Sequence, residues 1–231
     1  MKVKANKNIH SATSSHTLKV GLTANSTGYT RSNKIVVVGP SEAEVTGIIA
    51  LLQHDGFQVC QGKGVKLDAD DLLIVTLSTV PLLGWWRYLE YLHMLKRKGK
   101  YQMLAIIPTA LKEIMLRQSI CPIIEGGGTL AQLHNALLAA AETWKKGILP
   151  RINRGKSTPD RKLTAGQARA IYKLLEGKYI DSKTQYSQRY LALERLGFSG
   201  TAQFSLFTAG IGNVIQRQNF IFLKYITVSA I

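Results

Sequence analysis

The chain has 231 residues, of which 45% are hydrophobic, and its formal net charge is +16. This length suits one large domain or two small ones, and the apolar content supports a packed core, which excludes a chain that is disordered throughout. The charge is uneven, because residues 35–144 carry nine basic and ten acidic residues whereas residues 145–195 carry thirteen basic and four acidic ones. A basic segment beside a neutral one favours a polyanionic partner, nucleic acid before membrane, since neutralised phosphates drive non-specific affinity.

The cysteines and the hydropathy of the chain indicate the cellular compartment in which we expect the protein. Cys60 and Cys121 lie far apart in apolar, strand-like runs, where a free thiol usually behaves as a small core residue. The N-terminus lacks the apolar region of a signal peptide, and the apolar run 220–231 is too short to span a bilayer. We expect a soluble, cytoplasmic protein that does not contact a membrane.

Residues 1–33 are rich in Ser, Thr, Asn and Lys and are predicted to form a flexible basic tail, in which Thr17–Thr23 can add a strand. Strand and helix signals then alternate over 34–144. The predicted strands are Lys34–Gly39, Phe57–Cys60, Asp71–Leu77, Gln102–Ile107 and Cys121–Ile124, and the predicted helices are 42–56, Trp85–Lys98, Leu111–Arg117 and Leu130–Trp144. Ser41 is the expected cap of the first helix, with Glu44 completing a capping box.

Alternating strands and helices predict a doubly wound, flavodoxin-like α/β domain over 34–144. Residues 145–161 are polar and basic, hold glycines and prolines, and are predicted to be a linker. A small all-α domain is expected over 162–215, followed by a C-terminal tail over 216–231.

The order of these elements, with an aspartate opening the third strand, resembles the receiver domain of bacterial response regulators. The resemblance implies acidic residues after the first strand, a phospho-accepting aspartate at the end of the third, and a lysine after the fifth. Gly39, Pro40, Thr76 and Glu125 stand at these positions instead. Without clustered carboxylates a divalent cation has no site, and without the aspartate no acyl phosphate forms. The sequence therefore predicts a pseudo-receiver that phosphorylation does not switch.

Other motifs predict no catalytic residue, metal or cofactor. The loop Gly126–Gly128 before a helix can cradle an anion, but it lacks the residues of a P-loop and the spacing of a dinucleotide fingerprint. The five histidines are scattered without ligand spacing. Trp85 and Trp86 open an aromatic helix that either packs in the core or forms a dimer or partner interface.

The C-terminal segment contains Leu163-Thr164, Gln167, Ile171, Leu174-Leu175 and Gly177, followed by the stretch from Lys183 to Phe198. These two groups of residues resemble, in that order, the opening helix and the recognition helix of the DNA-binding domain of LuxR-type helix-turn-helix regulators. The resemblance implies that the second helix enters the major groove of double-stranded DNA. Carried over by position, the predicted DNA-binding residues are Lys183, Thr184, Ser187, Gln188, Arg189 and Arg195.

The roles implied by this resemblance differ along the helix. Lys183 and Thr184 are expected to hold phosphate, whereas Ser187, Gln188 and Arg189 are expected to face the groove. Arg189 suits guanine and Gln188 suits adenine, through bidentate hydrogen bonds. Arg195 is expected to reach the DNA backbone.

The segment departs from the family between its two helices. LuxR-type domains place a further turn and helix before the Lys-Thr pair, whereas here only Lys178–Ser182 intervenes, and Gln185 replaces an aliphatic anchor. A rival assignment makes Ser187–Gly197 the first helix and Thr201–Gly210 the reading helix, and a third interpretation is a solvated helical bundle whose basic face contacts nothing.

Three functions follow. The first is a LuxR-type transcriptional regulator, not an enzyme, that binds DNA as a homodimer or heterodimer without receiver phosphorylation. The second is an interaction protein that does not bind DNA and pairs with another transcriptional regulator to modulate it. The third is an enzyme on a flavodoxin-like fold that uses the loop Gly126–Gly128.

Overall fold

A computed structural model describes residues 33–62, 64–147, 163–178 and 182–211. The strands are β1 (Ile35–Val38), β2 (Val59–Gln61), β3 (Leu72–Thr76), β4 (Gln102–Ile107) and β5 (Ile123–Glu125). The helices are α1 (Glu42–His54), α2 (Trp86–Lys98), α3 (Lys112–Gln118), α4 (Leu130–Lys145), α5 (Ala165–Leu175), α6 (Lys183–Leu196) and α7 (Thr201–Phe207), with a 3-10 turn at Thr109–Leu111.

The five strands form one parallel sheet in the order β2-β1-β3-β4-β5. The central strand β3 is buried along its whole length, which explains its continuous run of apolar residues. Helices cover both faces of the sheet. The predicted doubly wound α/β fold is confirmed.

Alternate residues of each strand point to opposite faces of the sheet, so two apolar layers form. Helices α1 and α4 pack on one face, over residues such as Ile35, Leu72 and Ile106. Helices α2 and α3 pack on the other face, over residues such as Val36 and Leu73.

Helix α1 begins as predicted, but its capping box is incomplete. The Ser41 hydroxyl accepts a hydrogen bond from the Glu44 N–H at 3.3 Å. The Glu44 carboxylate does not return to the cap. It accepts hydrogen bonds from the Ser78 hydroxyl at 2.5 Å and from the Thr79 hydroxyl at 2.9 Å, both in the loop after β3.

Helices α5, α6 and α7 share one core with the α/β domain. The apolar layer under α2 and α3 continues into buried residues of all three helices, including Ile171, Leu193 and Phe204. The helical segment alone is small, and small segments bury a smaller fraction of their surface than large domains do. Sharing the larger core adds to this burial.

The two tryptophans lie in this shared core. Trp85 is fully buried and Trp86 is 5% exposed. The Trp85 ring lies 6.2 Å from that of Phe207, and the Trp86 indole donates a hydrogen bond to the Ala209 carbonyl at 3.0 Å. Of the two interpretations of this aromatic pair, core packing is the one observed, and the core spans both halves of the chain.

The predicted domain boundaries remain predictions. The tail over 1–33, with Thr17–Thr23, and the C-terminal tail over 216–231 fall almost wholly outside the described residues, as does most of the predicted linker over 145–161.

Buried His93 gives the stability of this fold a pH dependence. Burial, with a smaller contribution from Arg97, lowers the pKa of His93 from 6.5 to about 4. The unfolded chain therefore binds more protons between these pH values, and the free energy of unfolding falls as the pH falls through this window. We expect His93 to contribute at most about 3 kcal/mol to this loss.

Urea unfolding of wild type and His93→Leu at pH 7 and pH 4.5 measures this contribution. We expect the variant to lose less stability on acidification than wild type. An equal loss in both proteins would contradict the assignment.

Candidate nucleic-acid interface

The carboxyl edge of the sheet contains Thr76 where the resemblance to receivers implies an aspartate. The Thr76 side chain is fully buried, and its hydroxyl has no hydrogen-bond partner among the described residues. The space beside it is closed by the chain, because a Cβ on Gly39 would collide with the Thr76 hydroxyl. No opening for a phosphoryl group exists at this hydroxyl.

The two carboxylates at this edge already have partners. Glu44 accepts from the backbone N–H and the hydroxyl of Ser78. Glu125 forms an ion pair with Lys112 at 2.6 Å, and this pair raises the pKa of the Lys112 ammonium. Over the described residues no group of three His, Cys, Asp or Glu side chains is placed to hold a metal ion.

The loop Gly126–Gly128 is filled by side chains of the protein. A Cβ on Gly126 would collide with the Ser78 side chain, and one on Gly127 would collide with the Thr109 hydroxyl. A Cβ on Gly128 would lie 2.8 Å from Gln132 Oε1. These glycines are explained by close packing of the loop.

Helix α6 is bounded by two clear end signals. The Ser182 hydroxyl accepts from the Gln185 N–H at 3.2 Å and caps the start. Gly197 ends the helix in the left-handed region with φ 88°. The 14 residues between them form one continuous helix, and the seven-residue α7 that follows buries Phe204 and Phe207. Under the rival assignment, α7 would be the helix that contacts DNA, although its two aromatic side chains are buried in the core.

Helix α6 packs directly against α5. Ala192, Leu193 and Leu196 are buried on the inner face of α6. Near its start, Gln185 accepts a hydrogen bond from the Lys173 ammonium of α5 at 3.0 Å. Gln185 thus anchors α6 by a polar contact, where the resemblance implies an aliphatic one.

A second contact joins the start of α5 to the end of α6. Gln167 and Thr164 form a capping box at the start of α5, with hydrogen bonds of 3.0 and 3.3 Å. Gln167 is 3% exposed, and its Oε1 also accepts from the Arg195 guanidinium at 2.8 Å. This link is between the first turn of α5 and the last turn of α6.

The outer face of α6 is polar and aromatic. With about 100° between successive helical side chains, Lys183, Ser187 and Glu194 share this face with Tyr186 and Tyr190. Tyr186 is 59% exposed and Tyr190 is 61% exposed, and Leu191 lies beside them at 43%. We define the outer face of α6 as these six residues.

The six predicted DNA-binding residues do not all lie on this face. Lys183 and Ser187 are on it, and Thr184 is exposed at the helix start. The Ser187 hydroxyl donates to the Lys183 carbonyl at 3.1 Å.

Gln188 and Arg189 lie on opposite flanks of the outer face and are half-buried. The Gln188 amide lies beside Gly166 of α5, and the Arg189 guanidinium is 5.0 Å from the centre of the Tyr186 ring. Arg195 is turned toward α5, where it binds Gln167.

Sequence reasoning missed Tyr186, Tyr190, Lys173 and Gln167 as parts of this site. The i, i+4 spacing of the two tyrosines was the available signal for an exposed pair, because such residues are neighbours on a helix surface. The Lys173–Gln185 contact had no local signal, since its partners come from two different helices.

Two solved structures share this fold. The first is the two-component response regulator RcsB in a complex with DNA, with 17% identity, a TM-score of 0.52, and coverage of 80% of this chain and 98% of that chain. The second is RcsB from Salmonella enterica serovar Typhimurium bound to promoter P1flhDC in the presence of phosphomimetic BeF3-, with 17% identity, a TM-score of 0.52, and coverage of 78% and 100%. No protein-family model matches the chain, and no curated protein matches it by sequence.

The likeness extends over both halves of the chain and confirms the fold predicted from sequence. The chain has the fold of a response regulator, with a receiver-like α/β domain followed by a helical module. No helix of the described segments is long and apolar enough to cross a bilayer.

The closed environment of Thr76 gives a stability prediction. Thr76→Val removes a buried hydroxyl that has no partner, so we expect the free energy of unfolding to stay within about 0.5 kcal/mol or to rise slightly. Thr76→Asp introduces an unpaired buried charge, and we expect a loss of roughly 3–5 kcal/mol.

Chemical denaturation of the three proteins measures both effects. The contradicting result would be a Thr76→Asp variant that folds stably and takes up a phosphoryl group from a small-molecule donor. The carboxyl edge of the sheet would then be open at this position.

Proposed function

We propose that this protein is a DNA-binding transcriptional regulator that binds double-stranded DNA through α6 and acts without phosphorylation of its receiver-like domain. One observation carries the proposal. The outer face of α6 is exposed, begins with a lysine and presents polar and aromatic side chains, in a fold shared with response regulators solved on DNA. This role implies a cytoplasmic protein.

The start of α6 suits phosphate. Its first four N–H groups point out of the helix, and the helix dipole is positive there. The first turn holds no acidic residue, while Lys183 and Thr184 are exposed beside it. In this arrangement Lys183 and Thr184 bind backbone phosphates and fix the position of α6 in the major groove.

The outer face provides the contacts to bases. Ser187 accepts a hydrogen bond at a base edge, because its hydroxyl proton is donated to the Lys183 carbonyl, and the rings of Tyr186 and Tyr190 pack against thymine methyl groups. Arg189 reaches guanine from the flank, with its guanidinium held over the Tyr186 ring. Gln188 reads adenine only if its amide turns away from Gly166. Arg195 reaches the DNA backbone only if its guanidinium leaves Gln167.

Independence from phosphorylation rests on the carboxyl edge of the sheet. Thr76 cannot form an acyl phosphate, and the nearby carboxylates of Glu44 and Glu125 are engaged with protein partners. A regulator built in this way changes its activity through abundance, a partner or a ligand.

Oligomeric state is part of the proposal. Regulators that read DNA with one helix commonly bind two half-sites as a dimer, because one short helix contacts too few base pairs. We therefore expect a homodimer, or a heterodimer with another regulator, on the target DNA.

A second function has its own observation. The outer face of α6 contains the exposed side chains Tyr186, Tyr190 and Leu191, and exposed aromatic residues are enriched at protein interfaces. On this alternative the protein does not bind DNA but pairs with another transcriptional regulator and modulates it. The two functions differ in salt dependence and in the effect of removing Lys183.

DNA binding against salt concentration tests the proposal. We expect affinity to fall steeply with salt, because phosphate contacts release counterions. The double variant Lys183→Ala/Arg189→Ala should bind at least about tenfold more weakly, with a salt slope reduced by roughly 1 to 2. Tyr190→Ala should lose discrimination between DNA sequences with little change in slope.

Arg169→Ala is the matched control, because Arg169 is an exposed cation of α5 outside the outer face of α6. It should bind like wild type. An equal loss of binding free energy per removed charge in Arg169→Ala and in the double variant would mean that charge alone drives binding, and the partner-protein function would then be favoured.

A further inference from the structure

The two halves of the protein are the α/β domain and the helical segment α5–α7. Contacts that involve backbone groups join them at three places. At the start of α2, the Gly84 N–H donates to the Leu206 carbonyl at 2.8 Å, and Trp86 donates to the Ala209 carbonyl at 3.0 Å. In the 3-10 turn, the Ala110 carbonyl accepts from Gln203 at 2.7 Å.

The third contact is at α3. The Arg117 guanidinium donates to the Arg195 carbonyl at 3.1 Å. The backbone of Gly197 lies so close to α3 that an added Cβ would be 2.9 Å from the carbonyl carbon of Glu113 and from the Ile114 nitrogen. Arg117 thus satisfies a carbonyl group in the last turn of α6, and Gly84 and Trp86 donate to carbonyl groups in and just after the last turn of α7.

An aromatic cluster fills the space between these contacts. Phe198 lies 5.0 Å from Phe204 and 5.2 Å from Phe207, both edge to face, and Phe207 lies against Trp85. All four side chains are at most 4% exposed. The contact between Trp85 and Phe207 joins the two halves, so separating them would expose aromatic surface to water, which favours the docked arrangement.

The docked arrangement leaves the outer face of α6 free. Tyr186 and Tyr190 stay about 60% exposed while the other end of the same helix, at Arg195 and Gly197, is fixed to α3. A contact that inhibits DNA binding by occlusion would cover this face. Here the α/β domain contacts the C-terminal end of α6 and leaves its outer face uncovered.

We propose that the α/β domain is a permanent clamp that holds the reading helix in its DNA-binding position, so that docking of the two halves supports DNA binding instead of inhibiting it. This inference rests on the proposed function. It assigns the α/β domain a structural role in the same site, consistent with a carboxyl edge that cannot accept a phosphoryl group. Loosening the clamp is therefore expected to weaken DNA binding.

A pair of glycine variants in the full chain tests the clamp. Gly197→Ala places a methyl group against α3, whereas Gly177→Ala, at the end of α5, meets no atom of the described residues within 4 Å. Both glycines have positive φ, 88° and 67°, so the backbone strain of the substitution is similar. Only Gly197→Ala pushes the two halves apart.

DNA affinity at fixed salt is the first readout. We expect Gly197→Ala to bind about tenfold or more weakly than Gly177→Ala. Higher affinity in Gly197→Ala than in Gly177→Ala would mean that docking inhibits binding and would overturn the proposal. Equal affinity in the two variants would also overturn it, because the clamp would then not support the site.

A milder pair covers the case in which Gly197→Ala fails to fold. Arg117→Ala removes the contact to the Arg195 carbonyl, and Arg97→Ala removes an exposed cation from α2 as a charge-matched control. Weaker binding in Arg117→Ala than in Arg97→Ala supports the clamp, and equal binding contradicts it.

Hydrogen exchange separates failure of the clamp from failure of the proposed function. If wild type does not bind DNA but the Gly84 amide exchanges as slowly as core amides of β3 and β4, the clamp exists and the proposed function is wrong. Fast exchange at Gly84 in wild type would overturn the clamp whatever the DNA result.

Discussion

The contact between Trp85 and Phe207 joins the helical segment to the α/β domain inside one shared apolar core. A segment of three short helices buries only a small amount of surface by itself. The aromatic cluster gives it a core by extending the layer under α2 and α3. Because this core is shared, the position of α6 is fixed by the α/β domain as well as by α5.

The closed carboxyl edge of the sheet and the shared aromatic core both bear on the proposed independence from phosphorylation. In a switched regulator the carboxyl edge of the sheet must respond to a phosphoryl group, and the interface must have two arrangements of similar free energy. Here Thr76 and Gly39 close the edge, and the interface buries four aromatic side chains. In the proposed function the α/β domain therefore acts as a support for α6.

The sequence predicted the α/β fold well and the site only in outline. Strand and helix positions follow from local periodicity, and β3 was recognised because a strand buried on both faces is apolar throughout. Glu44 differed from its predicted role because a tertiary partner, the Ser78 hydroxyl, competes with the local cap.

Sequence-based prediction is limited at the candidate site for the same physical reason. The predicted position of α6 rested on residue identity, but which side chains are exposed depends on packing against α5. Arg195 looked available for DNA, yet it binds Gln167, which lies 28 positions away in the chain. Tyr186 and Tyr190 are exposed because the inner face is taken by Leu193 and Leu196. No pattern within a single helix contains these contacts between helices.

Hydrogen–deuterium exchange of the full chain, with and without a specific DNA duplex, tests directly whether α6 binds DNA while it stays docked on the α/β domain. We predict that DNA protects amides at the start of α6, around Ser182–Ser187, while the Gly84 amide, which donates to Leu206, stays slow in both states. Faster exchange at Gly84 on DNA binding would contradict this prediction, because the two halves would then separate when α6 binds DNA. Absence of protection in α6 with a bound duplex would contradict the assignment of α6 as the reader.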